Sequence, residues 1–241
     1  LVGNLKYLDF TFPSPSANLA CDEALLEACD ENPGAEVLRF WEPQHYFVVL
    51  GYANQAAREV HLEVCRERNI GVYRRCSGGG TVVQGPACLN YSLVVGIEQD
   101  AALQTITTAN RFIMERHRQA LESLLGRKVR VQGITDLAVG NKKFSGNAQR
   151  RKRHALLFHG TFLLGFDLSM VQALLPLPSR QPNYRYDRGH EQFLTNLEVS
   201  PAPVKETLRQ VWKAAEAYGE PPEIPLAVAK KYGDDGWNLK F

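Results

Sequence analysis

Arg74 and Arg75 lead directly into Cys76-Ser77-Gly78-Gly79-Gly80-Thr81-Val82-Val83, between a strand-like Gly71-Val72-Tyr73 and a second apolar strand, Leu89 to Val95. Glycine has no Cβ, so the triplet can take φ > 0 and turn successive backbone N–H groups toward one guest. The arginines beside it add full positive charge. A phosphate or an acyl phosphate fits such a loop, although a plain turn between strands would use the same glycines. No Gly-Lys-Ser/Thr follows, which disfavours P-loop chemistry. The β-branched residues behind the loop also differ from the helix that follows a GxGxxG turn.

A second candidate is Asp136-Leu137-Ala138-Val139-Gly140-Asn141-Lys142-Lys143-Phe144-Ser145-Gly146-Asn147-Ala148-Gln149. Simple strand alternation puts Lys143, Ser145 and Asn147 on one face and Lys142 and Phe144 on the other. A lysine there, with an ordinary pKa of about 10.4, is cationic at neutral pH and able to neutralise a carboxylate or phosphoryl oxygen. A solvated Lys-Lys pair at a hairpin reads the same way. Two histidine motifs follow, His159-Gly160-Thr161-Phe162-Leu163-Leu164 and His190-Glu191-Gln192-Phe193-Leu194-Thr195-Asn196-Leu197.

The five cysteines form no CxxC pair, which speaks against structural zinc and for reduced thiols. Cys21, Cys29 and Cys65 fall in helix-like segments as small buried side chains, while Cys76 and Cys88 flank the glycine loop. Lys142, Lys143, Arg150, Arg151, Lys152 and Arg153 crowd a short stretch, yet the net charge is only +2. With no aromatics interleaved, that run disfavours nucleic acid; it suits an acidic protein surface or solvent. A span of about 20 apolar residues, as a transmembrane helix needs, is missing, and so is a secretion signal. The expectation is a cytoplasmic protein without a membrane partner.

These residues have to be held by strands and helices whose periodicity is visible. Strands are expected at Leu5 to Phe10, Glu36 to Trp41, Tyr46 to Leu50, Lys128 to Val131, Asp136 to Val139, Lys143 to Gln149 and His154 to Leu164. Gly140-Asn141 makes a two-residue hairpin turn. Helices are expected from a Ser16 cap to the Asn32-Pro33-Gly34 turn, from Ala56 to Arg68, from Ala101 to a stop at Gly126, from Asp167 to Leu175, and from Val204 to Tyr218. Pro176 to Gln192 reads as an irregular loop, and the C-terminus as a loose tail. Strands outnumber helices without strict alternation, so the fold class is α+β: a mixed or antiparallel sheet with flanking helices. At 241 residues, 1–241 forms a single catalytic domain.

Taken together, Arg75 with Ser77-Gly78-Gly79-Gly80-Thr81-Val82, Leu89-Asn90-Tyr91-Ser92, Asp136-Leu137, Lys143-Phe144-Ser145-Gly146-Asn147-Ala148-Gln149 and His159-Gly160-Thr161 resemble the lipoate–protein ligase A family. That family belongs to the biotin/lipoate protein ligase catalytic-domain superfamily. The motifs occur in the family's order, across nearly the whole chain. The resemblance implies a bifurcated pocket for an acyl chain and ATP. In the implied reaction, lipoate or octanoate attacks the α-phosphorus of ATP, Mg²⁺ accompanying the nucleotide. A lysine of a lipoyl-domain protein then attacks the acyl-adenylate. The acceptor would be the E2 subunit of a 2-oxoacid dehydrogenase or the glycine cleavage H protein.

By the same resemblance Lys143 is the catalytic residue, at the acyl carbonyl and the bridging phosphate oxygen. Arg75 and the backbone of Gly80, Thr81, Val82 and Val83 hold the phosphates. Asp136 partners Lys143 or Mg²⁺. Ser77, Gly78, Gly79, Asn90, Gly146, Ala148, His159, Gly160 and Thr161 complete the implied adenylate-binding set, with His159 equally compatible with a structural hydrogen bond. Two departures stand out. The family's octanoyltransferase and amidotransferase branch places a cysteine nucleophile before the Asp-Leu strand, where this chain has Val131-Gln132-Gly133-Ile134-Thr135. Only Cys76 or Cys88 could substitute. Many ligases also carry a small C-terminal domain, whereas here only Leu197 to Phe241 follows the last motif, so a separate accessory protein could be needed.

Overall fold

A computed structural model describes residues 5–98 and 100–241. Its strands in chain order are β1 (Lys6–Asp9), β2 (Val37–Trp41), β3 (Phe47–Leu50), β4 (Gly71–Arg74), β5 (Val82–Gln84), β6 (Cys88–Gly96), β7 (Val129–Gln132), β8 (Asp136–Val139), β9 (Lys142–Arg151), β10 (Ala155–Leu163) and β11 (Glu216–Ala217). Eight of them form one sheet in the order β11-β1-β2-β6-β10-β9-β8-β7. A second sheet, β4-β3-β5, carries the glycine loop between β4 and β5. Parallel pairs occur at β1/β2, β1/β11 and β3/β4, and the other pairings are antiparallel. The fold is the mixed α+β arrangement expected.

One face of the large sheet is sealed by the helices Ile106–Leu125 and Pro201–Trp212, whose Ile113, Met114, Leu121, Leu208 and Trp212 pack on Leu38, Tyr91, Phe144, Phe158 and Phe162. The helix Pro15–Glu31 lies on the opposite face, where Cys21, Leu25, Leu26 and Cys29 meet Val37, Val94 and Leu157. Alternate strand residues feed the two layers, as a pleat requires. Consequently the residues of β10 on the Leu157 side, His159 and Thr161, face the same side as the Pro15–Glu31 helix, whose Leu19 and Asp22 join them along one wall. A cleft opens there.

Several boundaries differ from expectation for identifiable reasons. Ser14, not Ser16, caps the first helix: its Oγ accepts the Ala17 N–H at 3.2 Å, and Pro15 occupies the first turn. The expected Ala56 to Arg68 helix is two, Ala56–Glu59 and Leu62–Glu67. Between them Val60 is extended and buried, and the His61 N–H donates to the Leu174 carbonyl at 2.8 Å instead of continuing the helical ladder. Two caps divide the next segment as well. Asp100 caps a short turn at Ala101–Leu103, and Thr105 caps Ile106–Leu125. The loose tail is ordered: Leu226–Gly233 and Asp235–Asn238 are helical, and Tyr232 is fully buried.

Along β9 simple alternation fails. Ala138 pairs with Lys143 while Leu137 pairs with Ser145, so the register shifts at Phe144. A bulge of this kind re-aims the side chain next to it. Ser145 and Asn147 keep the face of the sealed core, while Lys143 turns to the opposite face with Gly146. There the Thr195 N–H fixes the Lys143 carbonyl at 2.9 Å. Among the described residues no helix is long and apolar enough to cross a membrane.

Candidate active site

Two cavities abut in the cleft, one of about 590 Å³ and one of about 120 Å³. They share Thr81, Val82, Gln84, Lys143, Gly146 and Thr161 as lining. Val83, Leu163, Val171, Leu175 and Leu194 make the smaller one apolar. The larger is lined by Arg75, Gly79, Gly80, Asn90, Asp136, Ala148, His159 and Gly160 from the motifs, together with Arg180 and Arg185 from the irregular loop. Lys143 therefore stands where the two branches meet. Of the expected residues, Ser77 and Gly78 line neither branch, and Val83 lines only the smaller.

The Lys143 ammonium lies 2.7 Å from Asp136 Oδ1, and the Tyr184 hydroxyl donates to Asp136 Oδ2 at 2.8 Å. Burial and the adjacent carboxylate push the Tyr184 phenol well above its ordinary range, so it remains a donor. Gly146 leaves room for this arrangement, since a Cβ there would come within 2.7 Å of the Lys143 amine and displace it. Both Asp136 oxygens are engaged, and no cluster of three metal-ligating side chains exists among the described residues. The residues therefore do not fit a protein-built Mg²⁺ site at Asp136.

Arg75 grips the backbone of its own loop. Its Nη2 donates to the carbonyls of Gly78 and Gly80, both at 2.7 Å, and its Nε to Ser77 Oγ and the Gly78 carbonyl at 3.1 Å. The guanidinium is thus the spine of the glycine loop, with its charge presented at the cavity wall. Gly79 takes φ +87°, a conformation that favours glycine. Burial lowers the Arg75 pKa to about 10, still cationic at neutral pH. Arg75, Arg180 and Arg185 have no carboxylate within ion-pair distance among the described residues. The two acids on the wall of the larger cavity, by contrast, are consumed: Asp136 by Lys143, and Asp22 by its own partners. The cleft is electropositive and suited to an anion.

His159 is a brace. Its Nε2 lies 2.6 Å from Ser77 Oγ and its Nδ1 3.3 Å from Asp22 Oδ2, and Asp22 Oδ1 lies 2.6 Å from Arg39. Burial opposes ionisation of Asp22, but Arg39 and His159 outweigh it and hold the carboxyl below its ordinary range. Ser, His and Asp in a row invite a hydrolytic reading. Ser77, however, is fully buried, already accepts from Arg75 and touches no cavity. The row ties the glycine loop to the Pro15–Glu31 helix.

Thr161, Asn90 and Gln84 close a ring of hydrogen bonds of 2.5, 3.0 and 2.6 Å on the wall. Gly160 lines the cavity only by its backbone; its vacant side-chain position is filled by Asn147, which receives the Tyr91 hydroxyl at 2.6 Å. Sequence reasoning missed Asp22, Gln84, Tyr184, Arg180 and Arg185. The last three sit in a proline- and tyrosine-bearing loop too long to be a simple connector, which was the available signal. Cys76 and Cys88 are buried, their thiols pushed up to about 12 chiefly by burial, and neither lines a cavity.

The basic run is also dispersed. Arg151 donates to the Leu103 and Gln104 carbonyls, Lys152 pairs with Glu27 at 3.2 Å, and Arg150 lies over the Tyr52 ring. Among the described residues Arg153 alone of the four is exposed without such a partner, so they do not form one free docking face.

Sheet, glycine loop and junction lysine together define a catalytic domain of the lipoate ligase fold. A solved lipoate-protein ligase A bound with ATP superposes with a TM-score of 0.81 at 25% identity, over 99% of each chain. A structure from Thermoplasma acidophilum, a bipartite lipoate protein ligase with its E2 lipoyl domain, matches at 0.78 and 24%, over 99% of this chain and 96% of its own. A protein of Aeropyrum pernix, provisionally named lipoate-protein ligase A, is 31% identical over 95% of this chain and 82% of its own. The octanoyltransferase LipM of Bacillus subtilis is 27% identical over 98% of each. The lipoyl protein ligase A/B catalytic domain family matches residues 14–215, and the chain belongs to it.

Proposed function

We propose that this enzyme is an ATP-dependent lipoate–protein ligase whose described residues act as one catalytic unit. The acyl chain of lipoate or octanoate occupies the apolar branch, and its carboxylate meets Lys143 at the junction. The nucleotide lies along the glycine loop in the arginine-rich branch. A carboxylate oxygen attacks the α-phosphorus and the bond to pyrophosphate breaks. The neutral amine of an acceptor lysine then attacks the acyl carbon, the bond to the AMP oxygen breaks, and AMP leaves. Lys143 offsets the negative charge that develops on the carbonyl and phosphoryl oxygens in both steps, and the walls supply alignment. Mg²⁺ would arrive with the nucleotide. The acceptor is a lipoyl-domain protein.

One observation carries the choice of ligase over transferase. All five cysteines are buried, and none of them lines either cavity, so a thioester route has no nucleophile at the junction. The second reading, an ATP-independent octanoyltransferase, draws on the similarity to the LipM enzymes. Mixing the protein with lipoate and Mg-ATP and measuring pyrophosphate separates them. Release of pyrophosphate is expected. No release, with acyl transfer from an acylated carrier protein intact, would establish the transferase instead.

A further inference from the structure

Arg74, the last residue of β4, is fully buried with no carboxylate in ion-pair distance among the described residues, and its guanidinium is satisfied by carbonyls alone. Nη1 donates to Gly51, Tyr52 and Asn54 at 2.8, 3.1 and 2.8 Å, Nε to Trp237 at 3.1 Å and Nη2 to Lys240 at 2.7 Å. The same residue's backbone is bracketed too. Its N–H donates to Asn238 Oδ1 at 3.0 Å, and its carbonyl accepts the Trp237 indole N–H at 3.0 Å.

The turn on the other side of Arg74 grips the glycine loop directly. The Tyr52 N–H donates to the Ser77 carbonyl at 2.8 Å, and Asn54 Nδ2 to Thr81 Oγ1 at 3.0 Å. Contact is so close that a Cβ on Gly51 would come within 2.1 Å of the Gly79 oxygen. The C-terminal end is anchored in turn. The Trp237 ring lies between the ammonium groups of Lys231 and Lys240, at 4.0 and 3.9 Å, and Lys231 is ion-paired to Glu23 at 2.7 Å.

We propose that residues 234–241 are a positioning strap for the glycine loop. By occupying one side of Arg74 the strap fixes the guanidinium, which holds the 51–54 turn, which holds Ser77, Gly79 and Thr81 in their anion-receiving shape. Lysine at position 74 could not replace it, because only a planar fork reaches carbonyls on both sides. The strap lies outside residues 14–215, the span that the family model matches. Loop order does not depend on which anion binds. The strap is therefore separable from the ligase reading, and only the KM comparison below rests on that reading.

Amide hydrogen exchange tests it on the full chain carrying Trp237→Phe with Asn238→Ala. These changes delete both backbone brackets and leave a ring between the lysines. Losing these two hydrogen bonds, together with the one from Asn238 Nδ2 to the Tyr232 carbonyl at 3.0 Å, should speed exchange at residues 77–82 about tenfold, with β6 unchanged. The KM for ATP should rise by a similar factor while kcat stays within about twofold. A chain ending at Gly233 provides the second variant, and added 234–241 peptide should restore protection at 77–82. Unchanged exchange at 77–82 overturns the strap. So does an equal rise in β6, which would make the segment a general stabiliser.

Discussion

Arg75 and Lys143 both bring positive charge to the larger cavity, and they do so in opposite ways. Arg75 is spent on neutral carbonyls of its own loop and has no acid beside it, so its charge is fixed in place and left uncompensated. Lys143 is paired with Asp136, which is itself held by Tyr184, so its charge is tethered yet can be lent to a reacting oxygen. A rigid, unpaired cation sets a standing potential that attracts an anion and holds it. A cation with an alternative partner responds as charge develops. The difference separates binding from chemistry and predicts that the two residues fail differently.

Removal of Lys143 should have the largest consequence. Lys143→Ala deletes the group at the junction and should reduce both adenylation and transfer by about 10²–10³-fold, with substrate affinity little changed. Pyrophosphate release and acceptor modification, measured separately, check this, and full activity in either half-reaction would remove the lysine from that half. Arg75→Lys tests the other side of the comparison. It keeps the charge and loses the fork that joins Gly78 to Gly80. At about 0.5–1.5 kcal/mol per hydrogen bond, the KM for the nucleotide should rise tenfold or somewhat more, with a smaller change in kcat. A kcat loss matching that of Lys143→Ala would erase the distinction between them.

The sequence carried one side of this comparison better than the other. Glycines, hairpin turn and strand periodicity are local signals, so the loop, β8, β9 and β10 were legible together with most of the cavity lining. The bulge at Phe144 was not, because it is a mismatch between two strands and leaves no mark in the spacing of one. Alternation alone placed Lys143 with Ser145, where tertiary pairing puts it with Gly146. Arg75 was expected at the phosphates; that its guanidinium also faces the carbonyls of its own loop is a matter of tertiary packing and could not be read from the sequence. Asp22 and Tyr184 come from elements distant in the chain and acquire meaning only through His159 and Asp136. The ordered C-terminus was hidden for a similar reason: Leu226–Gly233 is held by packing on Leu19 and Ala20, and the segment after it by Arg74, rather than by periodicity of their own.

The remaining tests sharpen how Lys143 is tethered. Gly146→Ala puts a methyl carbon within 2.7 Å of the present amine position, and the flexible lysine must swing away from Asp136. The rate should fall about tenfold, as misplacement of a charge-stabilising group does, while nucleotide KM is preserved. Wild-type turnover would mean that the amine works equally well untethered.

Tyr184→Phe makes the smallest change. It retains the ring packed against Phe193 and removes only the hydrogen bond to Asp136 Oδ2. With one donor gone, the carboxylate concentrates its charge on Lys143 and holds the ammonium more tightly, so less of it is available to the substrate. A net hydrogen-bond contribution of about 0.5–1 kcal/mol corresponds to a drop in kcat of roughly threefold. Arg75 predicts the contrast. Its loop has no contact with Tyr184, so the nucleotide KM of this variant should match the parent enzyme. A rise in KM with kcat unchanged would instead assign Tyr184 to nucleotide binding and leave Lys143 tethered by Asp136 alone.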